Sequence, residues 1–323
     1  MFYSLRSRLG GLLCGGLLLL GCSSPDTDPS IAALAVANPD FQMLEDAAVR
    51  GGVVELLSNK NPAPQSNGFF TVFAPTNDAF ARLGLRQAAD LLVLQRPFLQ
   101  NTLYYHVANG ALQGSTLQAG GSSGSALGVA RRYFKRGNDT YVNGSRILST
   151  DIVTANGTVH VIDKVLLATN ADIVQSAVAL SQGQVFVKPE LTYLVEAVLY
   201  CELAGALSEG SPQYTVFAPT DAAFQELGRT LGVALDKPAD IRKLPKNVVT
   251  NVLLNHVVPG GQFTPQLPAS ATPLGGSPLT FGPFTNGVLT VKGASNPTAA
   301  SMVIPDVQCT NGVVHVIDRV LLP

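Results

Sequence analysis

Thr71 to Phe80 reads TVFAPTNDAF, and Thr215 to Phe224 reads TVFAPTDAAF, identical at eight of ten positions. A long stretch that recurs in this way means one structural unit built twice, which constrains the fold more than composition does. Val72 and Ala74 alternate with Thr71 and Phe73, the period of a strand. Pro75 ends that strand and holds Ala74 extended. Thr76 then falls where a helix N-cap belongs, with Asp78 in the first turn, facing the positive end of the helix dipole. The unit is therefore a buried strand, a proline corner and a capped helix.

The rest of the chain follows the same duplication. Helical spacing of Phe41, Leu44, Ala47, Ala48 and Gly51 recurs as Leu194, Ala197, Val198 and Cys201. Asp90 to Ala108 predicts a helical stretch broken by Pro97, matched by Val248 to Val258. Asn143-Gly144, between Thr140–Val142 and Ser145–Leu148, is a strong hairpin signal. Asn156-Gly157 leads into TVHVIDKVLL, and Asn311-Gly312 into VVHVIDRVLL. Apolar residues on both faces of these segments predict strands buried on both sides. The second half carries about six extra residues near Ala294 to Ala299. These features divide the chain into a leader at 1–21, a polar tether at 22–30, and domains at 31–167 and 168–323.

The leader has Arg6 and Arg8 ahead of an apolar run from Leu9 to Gly21, too short to span a bilayer and suited to secretion. Leu19-Leu20-Gly21-Cys22 resembles the lipobox of bacterial lipoproteins. That resemblance implies cleavage before Cys22 and lipid attachment to it. Ser23 in place of the aspartate that retains such proteins at the inner membrane implies the outer membrane. An ordinary secretory signal is the other reading. After Cys22 no apolar run has transmembrane length. A net charge of −1 without long single-sign blocks argues against nucleic acid as a partner.

Cys201 and Cys309 remain for the folded part, in a compartment where a bridge could persist. A disulfide between them would close a loop of roughly 108 residues, worth about 4–5 kcal/mol in the chain-entropy model. Two separate buried thiols are equally compatible with the sequence.

Three motifs in fixed order, TVFAPT, the histidine segments YYHV and NHVV, and NGTVHVIDKVLL with NGVVHVIDRVLL, together resemble the fasciclin domain, present twice. The resemblance implies an α+β fold, each domain a β-sandwich or wedge of about seven strands with packed helices. It also implies a role in adhesion or extracellular-matrix contact. The family's Tyr-His pair falls on Tyr105 and His106, and only His256 fits in the second half, where Asn255 replaces the tyrosine. The Asn/Asp turn linked to adhesion falls on Asn77, Asp78 and Asp221. Flanked by Leu103 and Val107, Tyr105 and His106 read more simply as helix-face core.

Catalysis finds little support. The four histidines form two matched pairs, His106 with His160 and His256 with His315, a pattern that architecture explains. Asp163 and Asp318 stand three residues after the strand histidines, on the opposite strand face. P-loop, dinucleotide and HExxH patterns are absent, so neither enzyme activity nor a cofactor or metal is expected. Arg131, Arg132, Lys135 and Arg136 interleave with Tyr133 and Phe134, either a platform for a surface polysaccharide or a solvated hairpin face. A matrix protein is the other expected class of partner, with the membrane engaged through Cys22.

Overall fold

A computed structural model of the protein describes residues 28–182 and 191–323. The leader, Cys22 and most of the tether lie outside the described residues. Domain 1 runs through α1 (Ile31–Ala37), α2 (Gln42–Gly51), α3 (Val54–Ser58), β1 (Phe70–Pro75), α4 (Asn77–Ala81), α5 (Arg96–His106) and β2 (Val107–Asn109). It continues with β3 (Ser122–Ser123), β4 (Arg131–Arg136), β5 (Asp139–Val142), β6 (Ser145–Thr154) and β7 (Gly157–Ile162); β8 (Leu167–Ala168) follows and pairs in parallel with the domain 2 strand Ala300–Cys309. Domain 2 repeats the order with α6 (Ile173–Ser181), α7 (Thr192–Tyr200), α8 (Ala204–Leu207), β9 (Tyr214–Pro219), α9 (Asp221–Leu231) and α10 (Lys246–Leu254). Its remaining strands are β10 (Val257–Pro259), β11 (Ser270–Ala271), β12 (Leu279–Phe281), β13 (Thr290–Lys292), β14 (Ala300–Cys309) and β15 (Gly312–Ile317).

Both sheets have one topology, β2-β1-β7-β6-β5-β4-β3 in domain 1 and β10-β9-β15-β14-β13-β12-β11 in domain 2. The repeated TVFAP strand pairs in parallel with the VHVI strand, Val72 opposite Val159 and Val216 opposite Val314. These two strands sit inside each sheet, as their two-faced apolar pattern predicts. The helices cover one face, where Val72, Ala74 and Val159 meet Leu44, Ala48 and Leu103. The other face curls around Phe73, Tyr105, Tyr133 and Ile162. Phe73 and Phe217 are completely buried, each contributing about 1.5–3 kcal/mol. Pro97 begins α5 rather than breaking a longer helix, since a missing N–H costs nothing in the first turn.

The corner forms as the sequence predicts. Thr76 Oγ1 accepts from Ala79 N at 3.3 Å, and Thr220 Oγ1 accepts from Ala223 N at the same distance. Asn156 and Asn311 hold the first helix of each domain. Asn156 Oδ1 accepts from Ile31 N at 2.8 Å while its Nδ2 donates to Leu57 O and Asn59 O. Asn311 does the same for Ile173 N, Leu207 O and Ser208 O.

The expected disulfide alternative is corrected by the structure: Cys201 and Cys309 are both free and buried. Cys201 ends α7 with its Sγ facing Lys246 O, whereas Cys309 Sγ lies 3.3 Å from Ser176 Oγ. The two thiols point at different neighbours. Burial pushes the Cys309 thiol up to about 11.

Candidate functional site

Most of the residues singled out as adhesion contacts are structural. His106 is 2% exposed; its Nδ1–H donates to Thr102 O at 2.7 Å and its Nε2 accepts from Leu166 N at 2.9 Å. His256 repeats this with Val252 O and Leu321 N. Each ring ties the end of the long helix to the segment after the last strand, and neither presents a surface. Burial lowers both to about 4. His160 and His315 are completely buried and neutral in the other tautomer, Nδ1 accepting from Asp151 N and Asp306 N, Nε2–H donating to Leu112 O and Gln262 O. No histidine keeps a ring nitrogen for proton transfer.

Asn77 and Asp221 are helix-docking residues. Asn77 Oδ1 accepts from Met43 N and its Nδ2 donates to Pro39 O. Asp221 accepts from Tyr193 N and from the Thr192 hydroxyl. Asp78 alone of the expected contacts stands exposed, at the first turn of α4.

Tyr105 belongs to a buried joint between the domains. Its hydroxyl accepts from Asn143 Nδ2 at 2.6 Å and donates to Gln308 Oε1 at 2.5 Å, so the core of domain 1 is bonded to β14 of domain 2. Lys164 Nζ lies 2.8 Å from Asp306 Oδ2 and 3.2 Å from Thr264 Oγ1, and also donates to Gly287 O. Asp306 further accepts from Thr264 N at 2.7 Å. Burial alone would raise Asp306, but Lys164 prevails and holds the carboxyl below the usual range. Gly144 fits here because a Cβ on it would overlap the Asp306 carboxylate.

The basic strand β4 is the other half of that joint, neither a polysaccharide platform nor a solvated face. Arg132 stacks 4.7 Å from the Phe263 ring and donates to Gly261 O, and Arg136 lies 4.3 Å from the Phe284 ring. Arg131 points the opposite way. It is fully buried, donates to Tyr105 O and Gly124 O, and packs over Phe73. Lys135 alone of the four remains exposed.

The joint has no second copy among the described residues. Leu112 O and Gln262 O receive equivalent histidines, so Gln113 stands where Phe263 anchors Arg132, and Asp151 stands where Asp306 meets Lys164. Gln113 and Asp151 are exposed. At the far end of domain 2 the insertion after β13 folds onto the terminus through Asn296, which bonds Val320 O and Leu322 N. It occupies the position of the Asn143-Gly144 turn.

A cavity of about 250 Å³ lies beside the joint, between Arg82, Leu83 and Lys164 of domain 1 and Val288, Met302 and Pro305 of domain 2. It contains no nucleophile with an adjacent base. Gly120 to Gly124 (GGSSG) satisfies the letters of the GxSxG nucleophile motif. However, Ser122-Ser123 form a short edge strand, with the Ser123 hydroxyl accepting from Tyr133, and not the strand-to-helix elbow that chemistry needs. Asp163 bonds Arg146 N and Ser145, and Asp318 bonds Ser301 N, so both close the start of the neighbouring strand. Among the described residues, no group of three His, Cys, Asp or Glu side chains is placed to hold a metal ion, and no helix is long and apolar enough to cross a membrane.

The family model for the Fasciclin domain matches residues 39–168 and 189–323. Transforming growth factor-beta-induced protein ig-h3 of Sus scrofa is 30% identical over 81% of this chain and 36% of its own length. Periostin of Homo sapiens is 27% identical over 80% of this chain and 29% of its own length. Protein sll1483 of Synechocystis is 34% identical over 45% of this chain and 77% of its own. This chain thus spans about a third of the length of the two animal relatives. A solved FAS1 domain pair from the insect cell adhesion molecule Fasciclin I aligns with a TM-score of 0.39 at 17% identity, over 89% of this chain and 98% of that one.

Proposed function

The chain belongs to the fasciclin-domain family, and from that premise we propose that it is a lipid-anchored adhesion or matrix-type binding protein of a bacterial envelope. It holds to the outer membrane through Cys22 and works by surface contact rather than catalysis. The observation that carries this reading is the buried joint. Tyr105–Gln308 and Lys164–Asp306 lock two fasciclin domains into one body, which suits the display of a fixed surface at the end of a short tether. That all four histidines are spent on backbone groups supports the non-catalytic part. The partner is a surface polysaccharide or matrix protein, met by the exposed features that remain: Asp78 on α4, and the open face around Gln113 and Asp151.

Two experiments test the proposal. Cys22→Ser should release the protein from membranes into the soluble fraction; retention would remove the anchor. A deletion strain should lose aggregation, biofilm formation or surface binding, restored by the wild-type gene and not by Asp78→Ala with Asp151→Ala. Unchanged behaviour in all three assays would count against adhesion. Small-molecule binding in the cleft is the second reading, favoured by the 250 Å³ space beside Arg82 and Lys164. A purely structural envelope role would show neither ligand nor adhesion phenotype.

A further inference from the structure

Each domain has an apolar cavity under its first two helices, and the two occupy one place in the fold. In domain 1 the space is about 120 Å³, floored by Val72, Ala74 and Val159. In domain 2 it is about 90 Å³, floored by Val216, Ala218 and Val314, the same positions of the repeat. The equivalence extends to the walls. Ile31 N and Ile173 N bond the matching Asn156 and Asn311, and Met43 N and Tyr193 N bond the matching first residues of α4 and α9, Asn77 and Asp221. With those pairs aligned, Ala35 and Ala177 line the two spaces from the first helix, and Leu44 and Leu194 from the second.

The mouths are unusual for a surface. Val36 and Val49 line the first cavity at 65% and 64% exposed, and Leu199 lines the second at 55%. Singly scattered exposed aliphatics are ordinary, but here they stand at the rim of an apolar cavity in both domains. The walls offer almost nothing to a polar ligand. Glu45 lies in the first lining, and Tyr214 and His256 in the second, with both ring nitrogens of His256 already bonded. A site without two to four polar partners does not retain water, and an apolar space of about 150 Å³ is known to take a small hydrocarbon instead. Each cavity runs from the exposed helix surface down to the sheet while enclosing little volume, so it is a slot rather than a chamber. A linear chain fits that shape better than a ring.

We propose that each domain binds the hydrocarbon end of a single-chain amphiphile, its polar head remaining at the surface between the first two helices. The proposal is independent of the anchor reading, and Cys22→Ser protein is used so that no lipid on the chain itself competes. Titration with hexanoate, octanoate, decanoate and laurate, followed by calorimetry, should give two sites per chain. Affinity should rise about fourfold per added CH₂ until the slot is full, and then level. Ala35→Phe should abolish one site, Ala177→Phe the other, and the double variant both, with circular dichroism unchanged. Should a Phe variant not fold, Ala35→Leu and Ala177→Leu take its place and should weaken the matching site at least tenfold. Absence of saturable binding, affinity that ignores chain length, or filled variants that bind as wild type would overturn the proposal. Binding to phosphatidylcholine vesicles without uptake of free chains would also overturn it, assigning the exposed aliphatics to a bilayer surface.

Discussion

Lys164 Nζ and Asp306 Oδ2 stand 2.8 Å apart, about nine-tenths buried on both sides, across the boundary between the two domains. Each is the other's only charged partner at hydrogen-bond distance among the described residues, so neither can be lost cheaply. Truncating one member of a buried pair strands the remaining charge, at a cost of about 3–5 kcal/mol. Lys164→Ala should therefore lower the urea midpoint and split one unfolding transition into two as the domains uncouple. Lys164→Met with Asp306→Asn should recover part of the loss, because the neutral pair leaves no stranded charge and the amide oxygen can still accept from Thr264 N. A double variant as damaged as the single would show that the pair's geometry, not its charge, holds the joint.

His106 and His256 set an acid limit on the fold. Both are held neutral at about 4 by burial, against an unfolded value near 6.5. A folded value below the unfolded one means the unfolded chain takes up protons first. Stability should be full above about pH 6.5, fall between there and pH 4, and level below. Each histidine accounts for about 3 kcal/mol across that window. Urea midpoints at pH 7, 5.5 and 4 measure it, and His106→Gln, which keeps one donor and one acceptor, should flatten the profile. A wild-type curve independent of pH would refute the assignment.

Thr76→Ala should cost about 1 kcal/mol, the usual penalty for a lost N-cap, since Thr76 Oγ1 is the acceptor for Ala79 N. Thr220→Ala should cost a similar amount in domain 2, where the same bond forms. Thermal denaturation measures both, and a neutral result would mean the cap bond is not made in solution.

The corner was legible because its causes are local: proline stops the strand and the threonine next to it begins the helix. The central strands were legible because their apolar pattern has no solvent face. What could not be read locally was where each side chain ends. Tyr105 and Arg132 carry no sequence mark of the opposite domain, yet they bond Gln308 and stack on Phe263, residues more than a hundred positions away. A strand alternating arginine with aromatic residues is the same string whether it faces water, a polysaccharide or a second domain. Asn156 and Asn311 read as turn residues, and their turns do form. Their helix-holding bonds depend on α1 and α6 arriving from elsewhere in the chain. The signal that could have found them is the repeat itself, since Asn-Gly precedes the last strand in both halves.

Asn255 takes the place of Tyr105 in the second domain and gives the last prediction. It is completely buried, and neither its Oδ1 nor its Nδ2 has a hydrogen-bond partner. Tyr105, by contrast, has Asn143 and Gln308, the latter reached only because domain 2 follows. Asn255 makes neither bond, so the tyrosine's role has no counterpart among the described residues of domain 2. A buried amide without partners costs about 1–3 kcal/mol in lost hydration. Replacing it by an apolar group of similar shape removes that cost and adds apolar burial. Asn255→Leu should accordingly raise stability by about 1–3 kcal/mol, read as a higher urea midpoint with an unchanged slope. Asn255→Asp should do the reverse, since it buries a carboxyl at the same place. If the leucine variant is less stable than wild type, the amide is satisfied in solution, and Asn255 is a polar keystone of the second domain rather than a relic of the first.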